Sequence, residues 1–124
     1  MRNMSFALTE QQVLQRTKSV TRRLGWLMLQ PGHLIQPVRK GMGLKPGEKI
    51  VRLGGPVRVV SVRREPLRKM TDDPDYGFTE VALEGFGDHP TLQWPSEFVA
   101  FFCGSHRGCA PATIITRIEF AYTT

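Results

Sequence analysis

The side chains best suited to chemistry fall in a few short stretches. Arg16, Lys18, Arg22 and Arg23 crowd four cations into one early segment, and Arg39 and Lys40 extend it. Such a cluster concentrates anions around it and pushes the pKa of an enclosed amine down, toward that of a base. Cys103-x-x-His106-x-x-Cys109 brings two thiols and an imidazole close together, with His33 or His89 available as a fourth ligand. These are donors that zinc takes, but structural zinc sites pair their ligands as C-x-x-C or H-x-x-x-H halves, which this segment lacks. The expectation is free thiols around a loop, with no metal and no cofactor. Trp26 and Trp94 have ring faces able to stack on a base, although a Trp beside glycine or proline in a small domain is more often a core plug. Phe98, Phe101 and Phe102 recur at i, i+3, i+4, which reads as core rather than a binding platform. No Ser/His/Asp pattern, tandem carboxylate pair, GxGxxG or GxxxxGK[ST] is present, which disfavours those hydrolase, glycosidase and nucleotide sites.

The elements that must position these groups are short. Glycine and proline punctuate the chain at Pro31-Gly32, Gly41, Gly43, Pro46-Gly47 and Gly54-Gly55-Pro56. Between the breaks, apolar and β-branched runs predict strands over 4–8, 19–22, 34–40, 48–53, 57–64 and 113–122. Short helices are predicted over 10–17, 74–83 and 95–103, with a helical turn at 66–70. Thr9 and Gln12 have capping-box spacing, and Pro95 stands at a first helical position. Strands in this order with helices between them predict an α+β domain: a small, partly closed β-barrel of five or six strands with about three short helices.

The chain has 124 residues, 40% hydrophobic and 23% charged, which suits one globular domain and excludes disordered and low-complexity classes. The net charge is +6, unevenly laid out. Seven basic and no acidic residues lie between Gln11 and Gly47; seven acidic residues and no Lys or Arg lie between Thr71 and His106. A basic lobe attracts nucleic acid or nucleotides, or it is a solubilising surface ion-paired to the acidic segment. No apolar run reaches the ~18 residues of a membrane span. The first ten residues include Glu10 and lack the apolar core of a secretory signal. Two cysteines without a signal point to a reducing, cytoplasmic setting with no membrane partner.

Thr17-Lys18-Ser19-Val20-Thr21-Arg22-Arg23 contains Lys-x-x-Thr-x-Arg just after a short helix. This resembles the signature of the ASCH family, compact β-barrel domains related to the PUA fold. Pro31-Gly32-His33-Leu34 resembles the family's Gly-Asp-x-hydrophobic turn, with His33 where the acid usually stands. Glu84-Gly85-Phe86 resembles its Glu-Gly/Asn-hydrophobic step, and Arg117-Ile118-Glu119-Phe120 its closing strand. The resemblance covers about residues 5–122 of a single domain spanning 1–124. Thr21 to Trp26 also looks like ASCH-like proteins of bacteriophage genomes, which would place the protein in host cytoplasm.

Small members of that family are amidohydrolases that remove the acetyl group from acetylated cytidine; others are described as RNA-binding or ribonucleolytic. The resemblance implies Lys18, Thr21 and Glu84 as catalytic residues. Amide hydrolysis needs a nucleophile, a proton carrier and oxyanion stabilisation. Thr21 supplies a hydroxyl, Lys18 a base or an oxyanion partner, and Glu84 a proton shuttle or a hold on water. Arg16, Arg22, Arg23, Trp26, Arg39 and Lys40 are the expected substrate or nucleic-acid contacts. Residues three apart face opposite sides of a regular strand, so Lys18 and Thr21 converge only if Lys18 precedes the strand that carries Thr21. The expected partner is a modified nucleoside or RNA. The alternatives are a non-catalytic nucleic-acid module or ribonuclease with a basic groove, and a phage accessory protein that binds a host protein.

Overall fold

The structure is a computed structural model and describes residues 1–123. A short strand β1 (Arg2–Ser5) leads through a 3-10 turn (Ala7–Thr9) into helix α1 (Glu10–Leu14). The expected capping box does not form: the Thr9 side chain makes no cap bond. Thr9 is instead buried at the end of the 3-10 turn, its N–H donated to the Phe6 carbonyl at 3.1 Å, so the turn itself opens the helix. The helix also stops before the expected 17. Arg16 takes a left-handed φ of 62°, and Thr17 and Lys18 turn their N–H groups back onto Gln12 O at 2.9 and 3.4 Å.

Strands β2 (Val20–Arg23), β3 (Leu34–Val38), β4 (Val57–Pro66) and β5 (Ile114–Tyr122) complete a five-stranded sheet in the order β1-β3-β4-β5-β2. β1 and β3 run parallel and the remaining pairs antiparallel, so the sheet is mixed. The outer strands β1 and β2 do not pair, so the ladder is an open sheet rather than the partly closed barrel expected. A side chain spans the gap instead: Arg23 Nη2 donates to Ser5 O at 2.6 Å. The expected strand at 48–53 is reduced to one bridge, Val38 to Arg52. The bridge is antiparallel, so residues 48–51 run past Val38, where β3 ends, and Gly54-Gly55-Pro56 stops the pairing after Leu53.

Helices α2 (Lys69–Asp72), α3 (Pro74–Leu83) and α4 (Pro95–Ser105) cover the sheet near the β4–β5 end. α3 has the predicted bounds: Asp73 caps it by accepting from Tyr76 N, and Pro74 starts it. Two cores result. One, around Met4, Phe6, Ile35, Val59, Ile118 and Phe120, lies under the N-terminal segment; the other, around Met70, Val81, Phe98, Phe102 and Ile115, joins the helices to the sheet.

α3 packs closely on α2 at Gly77, where a Cβ would land on the Met70 carbonyl oxygen. Gly77→Ala is therefore expected to cost about 3 kcal/mol or more, because backbone must move to admit one methyl group. Urea unfolding checks this; an unchanged midpoint would mean the two helices are not docked this tightly.

Candidate functional site

Three arginines stand in register across the sheet. Arg22 of β2 pairs with Arg117 of β5, which pairs with Arg63 of β4. Like charges directly opposite one another repel, so this row needs counter-ions. α3 and its C-terminal cap supply two of them. Glu80 binds two adjacent guanidiniums of the row: Oε1 accepts from Arg22 Nη2 and Arg117 Nε, each at 2.5 Å, and Oε2 from Arg117 Nη2 at 3.0 Å. Glu84 Oε2 accepts from Arg22 Nη1 at 3.3 Å. The sheet adds Glu65, which accepts from Arg63 Nε at 2.8 Å and from Arg22 Nη2 at 3.4 Å. Tyr76 OH donates to Glu65 Oε2 at 2.8 Å while accepting from Arg63 and Arg22.

The same network reaches Lys18. Its Nζ donates to Glu84 Oε1 at 2.8 Å and to the Glu84 carbonyl at 2.7 Å, with both side chains buried. Lys18 lies before β2 begins, which meets the geometric condition for sharing a site with Thr21. Its backbone is held from three sides: Tyr122 OH donates to Lys18 O at 2.6 Å, the next residue's N–H reaches Leu83 O at 2.9 Å, and Gly85 packs against its Cβ. Gly85 has φ +96°, and a Cβ there would sit 2.9 Å from Gln12 Cγ, so glycine is what lets the chain turn beside Lys18 after Glu84. Burial pushes the Lys18 pKa below the ordinary lysine value; Glu84 opposes this, and Arg23 and Arg22 add to it.

Lys18, Thr21, Arg22, Arg23 and Glu84 line a single cleft of about 310 Å³. It opens along β2, which is an edge of the sheet. Thr21 makes no hydrogen bond to Lys18 among the described residues. Its Oγ1 accepts from Arg23 Nε at 3.0 Å, and its own proton is given to no acceptor among the described residues. Five phenylalanines, Phe6, Phe86, Phe98, Phe101 and Phe102, together with His106 form the apolar lining. The cleft therefore joins a cationic, hydroxyl-bearing side to an aromatic one. That pairing suits a flat heterocycle with a polar substituent at one end.

The other expected contacts lie elsewhere. Arg16, Trp26, Arg39 and Lys40 do not line this cleft. Arg16 sits over the Tyr122 ring at 5.6 Å, in a separate small hollow. Trp26 packs on the N-terminal core with Arg2 stacked over it at 4.4 Å. Arg39 and Lys40 are engaged at the surface by Glu10 and Glu48. The α4 aromatics require a correction. Phe98 and Phe102 belong to the core as expected, but Phe101 is 41% exposed and all three line the cleft. Their spacing carried the signal: Phe98, Phe101, Phe102 and Ser105 share one helical face, and that face runs from the core out to the opening. Among the described residues no His/Cys/Asp/Glu group could hold a metal, and His106 instead stacks on Phe102 with ring centroids 4.1 Å apart.

Solved structures that share the fold include two proteins of bacterial origin. An ASCH domain from Lactobacillus crispatus JV V101 is 17% identical at a TM-score of 0.58, covering 96% of this chain and 77% of its own. A DUF984 protein from Enterococcus faecalis V583 is 15% identical at 0.60, covering 98% and 75%. No family model and no curated protein matches the sequence. The chain thus has the ASCH, PUA-like fold. Among the described residues no helix is long and apolar enough to cross a membrane.

The arginine row has a pH signature. Burial raises the pKa of Glu65 and Glu80, but their arginine partners outweigh it and hold both below the ordinary value; Arg63 and Tyr76 act on Glu65, and Arg117 and Arg22 on Glu80. A depressed folded-state pKa contributes stability that is complete above the unfolded carboxylate range and is lost as pH falls through the folded value. Unfolding free energy should therefore hold level down to the ordinary carboxylate range and drop below it. Arg22→Met is expected to cost about 3–5 kcal/mol at neutral pH, because it leaves buried carboxylates underpaired. It should also flatten the acid limb, which urea titrations across pH would reveal; an unaltered limb would show that Arg22 does not set these carboxylates.

Proposed function

We propose that this protein is an amidohydrolase that removes the acyl group from a modified pyrimidine nucleoside such as N4-acetylcytidine. One observation carries the reading: an amine, a hydroxyl and a carboxylate from separate stretches, Lys18, Thr21 and Glu84, line one cleft whose other side is aromatic. The fold, shared with the Lactobacillus crispatus ASCH domain, agrees with it. The motif resemblance to the acetylcytidine amidohydrolases supplies the substrate class.

The chemistry follows from the partners. The pyrimidine ring lies against the phenylalanines, which recognise a flat apolar surface and exclude water. Thr21 Oγ1 attacks the acyl carbon as its proton passes to Lys18. Burial, which lowers the Lys18 pKa, eases loss of its proton and so favours the neutral amine this step needs. Arg23 Nε, donating to the same oxygen, favours the hydroxyl's ionised form. Collapse of the tetrahedral intermediate breaks the C–N bond, and the departing 4-amino group takes the proton back from Lys18. Water then adds to the threonyl ester, with Glu84 placed to orient it, and the carboxylic acid leaves with Thr21 restored. Lys18 must first release its hydrogen bond to Glu84 Oε1 and turn toward Thr21, a rotation of a long unbranched side chain.

The test is release of cytidine from N4-acetylcytidine, followed by chromatography. Thr21→Ala and Lys18→Met are expected to lower kcat/KM by about 10²–10⁴-fold while the protein stays folded. The rate should rise with pH through an inflection below the ordinary lysine value, since only the neutral amine accepts the proton. Absence of turnover in the unmodified protein, across N4-acyl cytidines of different acyl length, would overturn the proposal.

A further inference from the structure

The cations facing the cleft are not all matched by anions. Lys18 is paired with Glu84, and Arg22 with Glu80, Glu65 and Glu84. Arg23 is in no ion pair among the described residues. Its fork spends Nε on Thr21 Oγ1 and Nη2 on Ser5 O, and Nη1 is left without a hydrogen-bond partner. The charge is packed over the Phe6 ring at 4.8 Å. Burial pushes its pKa down to about 10, with the more distant charge of Glu84 pulling the other way. A second donor is also unspent. Arg22 lines the same cleft with its side chain fully buried, and its Nε–H has no partner. Arg22 Nε–H has no accessible surface, so the unspent donor open to a ligand is Nη1 of Arg23, and a guanidinium without an ion pair beside Thr21 describes a place for an anion.

Position decides which anion. Arg23 Nε is 3.0 Å from Thr21 Oγ1, so a group bound by this guanidinium lies beside the attacking hydroxyl. In an N4-acyl pyrimidine nucleoside, the amide and the sugar leave the ring from opposite sides. With the acyl carbon at Thr21, a sugar phosphate points away from Arg23, and the acyl end points toward it. The anion that arises at that end is the oxygen developing on the acyl carbon and, after hydrolysis, the carboxylate of the released acid.

We propose that Arg23 forms a carboxylate subsite at the acyl end of the cleft, which holds the short monocarboxylate produced by hydrolysis. The anion site rests on the geometry alone; its assignment to the released acid rests on the hydrolytic reading above. A small monocarboxylate is then a ligand of the free protein and a competitive product inhibitor.

The test is a titration of the full, ¹⁵N-labelled chain with sodium acetate, against sodium chloride and sodium phosphate at matched ionic strength. Acetate should move the Arg23 Nε–H and the amides of Thr21 and Arg23 saturably, chloride should not, and phosphate should bind there more weakly than acetate. Arg23→Lys keeps the charge but loses the fork, and should raise the acetate Kd at least about 10-fold. Should that variant fail to fold, the unmodified chain decides alone. Absence of a saturable response at Thr21 and Arg23, an equal response to chloride, or an unchanged Kd in a folded Arg23→Lys would overturn the subsite. Phosphate binding more tightly than acetate would overturn its assignment to carboxylates. Acetate binding as expected, without turnover of any N4-acyl cytidine, leaves the subsite standing and removes the hydrolytic reading alone.

Discussion

Arg63, Arg117 and Arg22, aligned across three adjacent strands, form the interaction on which the rest depends. Such a row is repulsive by itself, and its two buried members, Arg22 and Arg117, cannot be buried without carboxylates brought from another layer. Glu80 at the C-terminal half of α3 and Glu84 at its cap answer it, with Glu65 and Tyr76 closing the circuit. Burying so many charges contributes little net stability, since desolvation cancels most of the attraction. What it fixes is where α3 lies on the sheet. A helix turned or slid by one residue would leave both layers with unpaired buried charge.

That placement makes the cleft. With Glu80 on the arginine row, Glu84 falls beside Lys18, and the glycine after it allows the chain to turn away without a side chain striking Gln12. Thr21 and Arg23, on the opposite face of β2 from Arg22, come to the same opening because β2 is an edge strand. The outer edges of the sheet never pair, and the open ladder leaves room between Ser5 and β2 that Arg23 spans. The feature that departs most from a closed barrel is therefore the one that gives the cleft its position. α4 supplies the aromatic side, its apolar face extending beyond the core.

Much of this was legible in the sequence, and the remainder was not for definite reasons. α3 could be read to the residue, because Asp73, Pro74 and Gly85 mark its ends locally. Lys18, Thr21 and Glu84 could be named only through resemblance; spacing says nothing of a contact between residues 66 positions apart. Glu65, Glu80, Tyr76 and Arg117 were not singled out as site residues because each is an ordinary polar residue until strand register and helix docking align them. Arg39 and Lys40 were expected at a binding groove because charge clusters in sequence, yet they turn to surface partners, Glu10 and Glu48. The 48–53 strand failed because its antiparallel neighbour β3 ends at Val38, a limit that composition within the run itself does not reveal. Phe101 shows the reverse case: correct helical spacing, but a place on the flank of a face whose centre, Phe98 and Phe102, is buried.

The central claim is that one cleft holds the acyl carbon of a pyrimidine amide between Thr21 and the cationic side, with the ring on the phenylalanines. A crystal structure of the Thr21→Ala protein with N4-acetylcytidine tests it most directly. The account predicts the ring against Phe98, Phe101 and Phe102, and the acyl group beside residue 21 with its oxygen toward Arg23. A nucleoside bound with its acyl group away from residue 21, or bound outside this cleft altogether, would contradict it.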